Sequence, residues 1–356
     1  MQAFRVASSA RKAVYALEIN LNRTIGREMV PVQPDVLNVE TTSVCNLSCR
    51  FCAYEKKTSP RISMTDEFFC DCIEQAVALG YRKFVLTPST GDIFMDHHIF
   101  RKLAFLDDHP GVEGYSFYTN FTIPKPKDVD RLIACRKLTS LVISVYGHDP
   151  ASFKAITGGT EKLHARLMGN LERLLAVVHR RSFDLIVRMQ STKDAPAKAS
   201  AEVADIFDRL RRAGVRLNRS TLFHTWGGLV TEEDVKGLAI DIKRADTIYK
   251  KGACILLFTG VQIMATGVVH ACSCVDVDAT LEIGNLHQKP LRDIMSTRNP
   301  LYMRLIEEQQ RGEFRPVCSA CGFYKSIYHM RRGPTQTVAG YMEQLDTKER
   351  GLPQPA

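Results

Sequence analysis

Three cysteines, Cys45, Cys49 and Cys52, stand within the nine residues "VCNLSCRFC" (44–52), with Phe51 between the second and third. Clustered thiols in a chain without the dense cysteine framework of a small secreted domain point to metal binding or catalysis. Tetrahedral zinc and cubane iron–sulfur clusters both offer four positions to the protein, and here only three are filled locally. Thiolates at i, i+4 and i+7 can wrap three corners of a cubane and leave the fourth iron open to an exogenous ligand. A zinc knuckle is the structural alternative and needs a fourth ligand close by. The next cysteines, Cys70 and Cys72, fall inside a helical pattern on different faces.

The chain that positions this loop has 356 residues, and 45% of them are hydrophobic. At roughly 100–200 residues per domain this suggests two units. Lysine and arginine exceed aspartate and glutamate by 48 − 39 = 9. That surplus is spread out, so it suits an anionic small substrate and gives no reason to expect nucleic acid. The N-terminus lacks the apolar core of a signal peptide. Its first seventeen residues are basic and free of acids, a pattern that reads as an amphipathic surface helix before a transit peptide. The stretch 254–275 carries no Asp, Glu, Lys or Arg. Its cysteines, histidine and Thr-Gly pairs make it two short β-runs turning at Thr266-Gly267, with no membrane span. A cytoplasmic protein is the expectation.

β-runs alternate with helical patterns: 36–40, 83–87, 114–119, 140–146, 184–190 and 219–224. Among the helices, 64–80 has a Ser63/Asp66 capping box and Gly80 as its C-cap, and 164–181 shows apolar residues at helical spacing. Six strands separated by helices predict an α/β fold with a parallel sheet, open or curled toward a barrel, whose chemistry sits at the C-terminal strand ends. The cysteine triplet follows the first strand directly. Beyond about 235 the pattern changes to a helical linker, the uncharged hairpin, a turn at "IGNL" (283–286) and a second cysteine pair, read as a smaller unit. The expected division is 1–34 (helical and extended lead-in), 35–235, 236–335 and a tail, 336–356, disordered in its last residues.

The C-x3-C-x-Phe-C spacing resembles the signature of the radical S-adenosylmethionine (SAM) superfamily. The resemblance implies a partial TIM-type (β/α)6 barrel over roughly 35–225. It also implies a [4Fe–4S] cluster held by Cys45, Cys49 and Cys52, whose open iron binds SAM for cleavage to a 5′-deoxyadenosyl radical. "TPSTGDIF" (87–94) resembles the family's Gly-Gly-Glu segment that holds the SAM amino group. Thr90, Gly91 and Asp92 match it, with Ser89 or backbone as the substitute for the shorter acid. Thr119 and Asn120 resemble the Thr-Asn segment under the SAM site, and Ser144 fits the polar residue near the ribose or carboxylate. Arg188, amid apolar neighbours, needs an anion, either the SAM carboxylate or a structural acid. Tyr118, Tyr146, His148, His224, Trp226, Tyr324 and His329 lie near strand ends or the second cysteine pair. Tyr146 and His148 are the first candidates for substrate binding or proton transfer.

Cys254, Gly267, Cys272 and then Cys318 and Cys321 form C-x12-G-x4-C and a distant C-x2-C. This is similar to the auxiliary-cluster extension of that superfamily, in the shorter twitch form of the SPASM-like domain, a small C-terminal β-hairpin and helix unit. Cys254, Cys272, Cys318 and Cys321 are the implied ligands of one auxiliary [4Fe–4S] cluster. Zinc on the same thiolates is the alternative. Cys274 is left to replace Cys272, to sit inert or to donate a hydrogen atom.

A closed auxiliary cluster suits electron transfer. The expected reaction is therefore dehydrogenation of a small polar substrate such as a sugar, nucleotide sugar or aminocyclitol, with a flavodoxin- or ferredoxin-type reductant as partner. The alternatives are epimerisation, decarboxylation, modification of a peptide or protein, and a molybdopterin-type nucleotide cyclase. With 34 residues before the first strand, neither a leader-peptide module nor a cobalamin domain is expected.

Overall fold

The computed structural model describes residues 2–32, 36–86, 89–193, 195, 199–243 and 248–349. A two-residue strand, β1 (Val30–Pro31), precedes six parallel strands: β2 (Val36–Val39), β3 (Lys83–Val85), β4 (Gly114–Thr119), β5 (Leu138–Tyr146), β6 (Asp184–Gln190) and β7 (Arg216–Ser220). They pair in chain order, each next to the one before. Helices over Asp66–Ala78, Ile99–Asp108, Pro126–Ile133, Pro150–Thr157 with Glu161–Val177, and Ala201–Arg212 make the crossovers. This is the expected α/β partial barrel. Leu141–Val145 on β5, apolar but for Ser144, is buried throughout, as a parallel strand covered on both faces requires.

Local signals differ from the expectation in four places. The helix starting at Asp66 is capped by Thr65, whose side chain accepts from the Phe68 amide, because Ser63 donates its hydroxyl to Thr42 instead. The sixth barrel strand ends at Ser220 rather than running over 219–224. The chain breaks at Thr221, and β8 (Leu222–His224) pairs with β9 (Asp241–Lys243). The segment expected as a helical linker runs in turns before β9. "IGNL" is mostly strand, because β12 (Glu282–Asn285) pairs with the hairpin.

The uncharged segment forms β10 (Gln262–Ile263) and β11 (Val268–His270), joined by the tight turn in which Gly267 takes φ +84°. β10 pairs parallel to β2, Gln262 opposite Asn38, so the hairpin continues the barrel sheet at its first strand. Glu40, just beyond β2, is buried and accepts from the Ala265 amide. The N-terminal helix Gln2–Thr24 packs on the chain's far end: Asn22 donates to the Tyr328 carbonyl, and Tyr15 meets His329 edge-on. β1 pairs with β13 (Thr335–Gln336). Residues 338–349, expected as tail, form a helix that buries Tyr341, Met342 and Leu345. The last seven residues of the expected tail, and Thr87 of the second β-run, lie outside the described residues.

Candidate active site

The cysteine loop leaves β2 and is held by backbone from other crossovers. Ser48 and Arg50 donate their amides to Thr157 and Ile156 at the end of the helix after β5. Asn46 donates to Thr122 and accepts from Asn120. The Cys45 amide donates to the Tyr54 hydroxyl at 3.0 Å. All three thiols then face a cavity of about 430 Å³ at the C-terminal strand ends, within the size range of small-molecule sites. Phe51, Ser89, Thr90, Gly91, Asp92, Thr119, Asn120, Ser144, Tyr146, Arg188 and Cys274 line it too. Residues separated by more than 200 positions in sequence thus share one space.

Asp92 is buried, and its carboxylate accepts from the Phe94 amide, the Thr119 hydroxyl and the Asn120 amide at 2.7–3.2 Å. Burial raises its pKa, and these bonds oppose the rise. The acid therefore ties the end of β4 to the loop after β3. Gly91 has φ +125°, and a Cβ there would stand about 3.0 Å from the Ser43 and Val44 backbone; the Asp92 amide donates to Val44. Only glycine lets this loop lie against the start of the cysteine loop. Thr90 presents a buried hydroxyl without a hydrogen-bond partner among the described residues.

Arg188 donates to Ser144 at 3.0 Å across the β5–β6 register and lies over the Tyr118 ring. Its Nε is buried without a partner among the described residues. A guanidinium with Nε unpartnered and a hydroxyl without a partner, on two residues lining one cavity, fit the amino-acid end of SAM. Phe51 lies between Tyr146 and Phe223, tilted against both rings at centroid distances of 5.1 and 4.4 Å. Burial raises the Tyr146 pKa, so this phenol stays protonated.

His148 is corrected: it is buried, hydrogen-bonded to Ser191 at 2.8 Å, and does not line the cavity. The preceding Gly147 turns the chain away. His224 lines it in its place, with an unpartnered Nδ1 and its ring against Phe323. Burial, then Lys243 and Arg188, lower its pKa to about 4, so it is neutral at pH 7. Gln190 and Asn38 also line the cavity. The two-residue alternation of a strand, carrying Arg188 forward to Gln190, was the available signal for the first of these.

The second cysteine set separates cleanly. Cys254, Cys272, Cys318 and Cys321 line one small apolar cavity with Leu257, Val275 and Tyr324, and Cys274 is absent from it. Gln309 donates to the Cys318 sulfur at 3.3 Å. Among the described residues no three His, Cys, Asp or Glu side chains converge tightly enough for a single metal ion. Four thiols around one apolar cavity are a donor set that either a zinc ion or a cubane cluster accepts. Burial pushes the Cys45 and Cys318 thiols up to about 12 and Cys52 to about 11. Iron must displace those protons, so higher pH favours cluster assembly.

Residues 39–242 match the Radical SAM superfamily. The chain belongs to that superfamily, and it is an enzyme of the radical SAM class. Residues 254–322 match the SPASM iron–sulfur cluster-binding domain. Its cofactors are accordingly SAM, a SAM-binding [4Fe–4S] cluster and an auxiliary iron–sulfur cluster. No curated protein matches the chain. Among solved structures it is similar to BtrN in complex with AdoMet and 2-DOIA (14% identity, 82% of this chain and 94% of that one, TM-score 0.50). Streptococcus suis SuiB bound to precursor peptide SuiA gives 14% identity over 88% and 78%, TM-score 0.56. AnSMEcpe with bound AdoMet gives 13% over 88% and 95%, TM-score 0.52. At such identities these likenesses establish the fold. No helix among the described residues is long and apolar enough to cross a membrane.

Proposed function

We propose that the enzyme dehydrogenates a carbinol carbon of a small polar substrate, a sugar, nucleotide sugar or aminocyclitol, held in the 430 Å³ cavity. When loaded, SAM and the two clusters supply the one-electron chemistry, removal of a hydrogen atom from carbon and acceptance of the second electron. The observation that carries the reading is the separation of thiols. Cys254, Cys272, Cys318 and Cys321 enclose their own apolar pocket, and four thiolates would be enough to close every iron of a cluster held there. Cys45, Cys49 and Cys52 face the reacting cavity.

The other residues take roles by position. Thr90, Arg188 and Ser144 receive the amino and carboxylate groups of SAM, and Phe51 packs the adenosyl end. His224 is the group with a free ring nitrogen able to take the hydroxyl proton as the ketone forms. Tyr146 keeps its own proton and acts as a donor. A flavodoxin- or ferredoxin-type reductant supplies electrons. Eleven unpaired cysteines suit a reducing cytoplasm.

Epimerisation is the second reading, favoured by one observation: the Cys274 thiol lies in the cavity wall, where it can return a hydrogen atom to a substrate radical. The test is reconstituted enzyme with SAM, dithionite and a panel of polyols, scored for 5′-deoxyadenosine and for carbonyl product. Dehydrogenation predicts a ketone in step with 5′-deoxyadenosine, and Cys274→Ala that still makes it. A product isomeric with its substrate, lost in Cys274→Ala, would sink the leading reading.

A further inference from the structure

The turns after β8 lie across both cysteine loops at once. At their start the Thr225 hydroxyl donates to the Ala320 carbonyl at 3.2 Å, in the turn between Cys318 and Cys321. The next residue, Trp226, donates its indole N–H to the Phe51 carbonyl at 2.9 Å, between Cys49 and Cys52. Gly227 and Gly228 press on the auxiliary turn, where an added Cβ would come within 2.5 Å of Val317 and 2.9 Å of Ala320. Trp226, Gly227 and Gly228 have φ of +49°, +64° and +96°. Side-chain-bearing residues rarely take that conformation, and left-handed residues rarely run consecutively. A bulky Trp held there is over-determined by its surroundings.

The remainder of the segment is hydrogen-bonded to the first loop. Lys56 reaches the Leu229 carbonyl and the Asp234 carboxylate, and Arg50 donates to the Asp234 and Lys236 carbonyls. Asp234 in turn caps Thr231.

We infer that residues 225–238 form a strap coupling the SAM-cluster loop to the auxiliary-cluster turn, with Trp226 as the positioning residue that sets the distance between them. The inference rests on reading the two cysteine sets as cluster ligands, and it is independent of which substrate is oxidised. It gives the one tryptophan of the chain a task that packing alone would not: one side chain hydrogen-bonds one loop while its neighbours on both sides clamp the other.

The experiment compares wild type, Trp226→Phe, which keeps one aromatic ring and loses the N–H with part of the indole bulk, and Trp226→Ala. Amide hydrogen exchange is read on the chain before reconstitution, and iron content and spin coupling between the reduced clusters after it. In Trp226→Ala, exchange is expected to rise about ten-fold or more in both 45–57 and 316–322 with the barrel helices unchanged. Iron should stay at about eight per chain, with intercluster coupling weakened or spread over a wider range of distances. Trp226→Phe should loosen 45–57 alone. Exchange that rises in neither loop or throughout the barrel, or coupling that matches wild type in both variants, would overturn the strap. Iron at about four per chain in wild type would instead overturn the ligand reading beneath it.

Discussion

At the residue scale, the site is a set of buried groups whose hydrogen-bonding capacity is deliberately incomplete. A buried polar atom without a partner is costly, about 1–3 kcal/mol, so native chains leave few of them. Thr90 Oγ1, Arg188 Nε and His224 Nδ1 are three such atoms, on residues that line one cavity. Asp92, by contrast, is fully engaged. The commoner glutamate of the family would reach further; here the shorter carboxylate serves Thr119 and Asn120, and Thr90 Oγ1 and Arg188 Nε keep no partner among the described residues. Replacing Arg188 by Gln removes charge-assisted bonds of about 1.5–3 kcal/mol, so the KM for SAM is expected to rise roughly ten- to a hundred-fold. The check is 5′-deoxyadenosine release under dithionite. An unchanged KM would take Arg188 out of the SAM site.

The element scale explains why residues so far apart in sequence meet. Parallel strands in chain order bring the loops after β2, β3, β4, β5 and β6 to one end of the sheet, and each loop contributes its first few residues. Fit between loops is then a backbone matter. Gly91→Ala puts a Cβ about 3.0 Å from the backbone of Ser43 and Val44 at φ +125°. The expected outcome is a displaced cysteine loop, with iron falling from about eight to about four per chain while the barrel's circular dichroism is kept. Retention of both clusters would show that the cysteine loop tolerates the shift.

At the scale of the whole molecule, the hairpin bearing the auxiliary residues is a continuation of the barrel sheet. β10 covers the edge of β2, and Glu40 is buried against the hairpin. The unit also spans both termini, since Asn22, Glu18 and Tyr15 all engage residues 328–330. A chain cut after residue 250 therefore exposes the edge of β2 and a buried acid. It is expected to aggregate or to melt well below the full chain in a thermal scan, despite containing the whole superfamily match. A soluble fragment of unchanged melting temperature that still binds SAM would contradict this.

The cysteine spacings, the alternation of strands with helices and the polar residues at strand ends were legible in the sequence, because they are local patterns with a chemical purpose. Cys45, Cys49, Cys52 and the set Cys254, Cys272, Cys318 and Cys321 could be read from spacing and resemblance. Other assignments turned on where the chain goes after a strand ends. Tyr146 and His148 are two residues apart, yet Gly147 sends one into the cavity and the other toward Ser191. Cys272 and Cys274 are equally close, and they open into different cavities. The turns after β8 carried no local signal for their role, because it consists of hydrogen bonds to residues 95 and 175 positions away. Residue type and spacing determined which cofactors this protein can hold. Only the tertiary structure decided which side chains face them, since that depends on backbone direction at single residues and on contacts that span the chain.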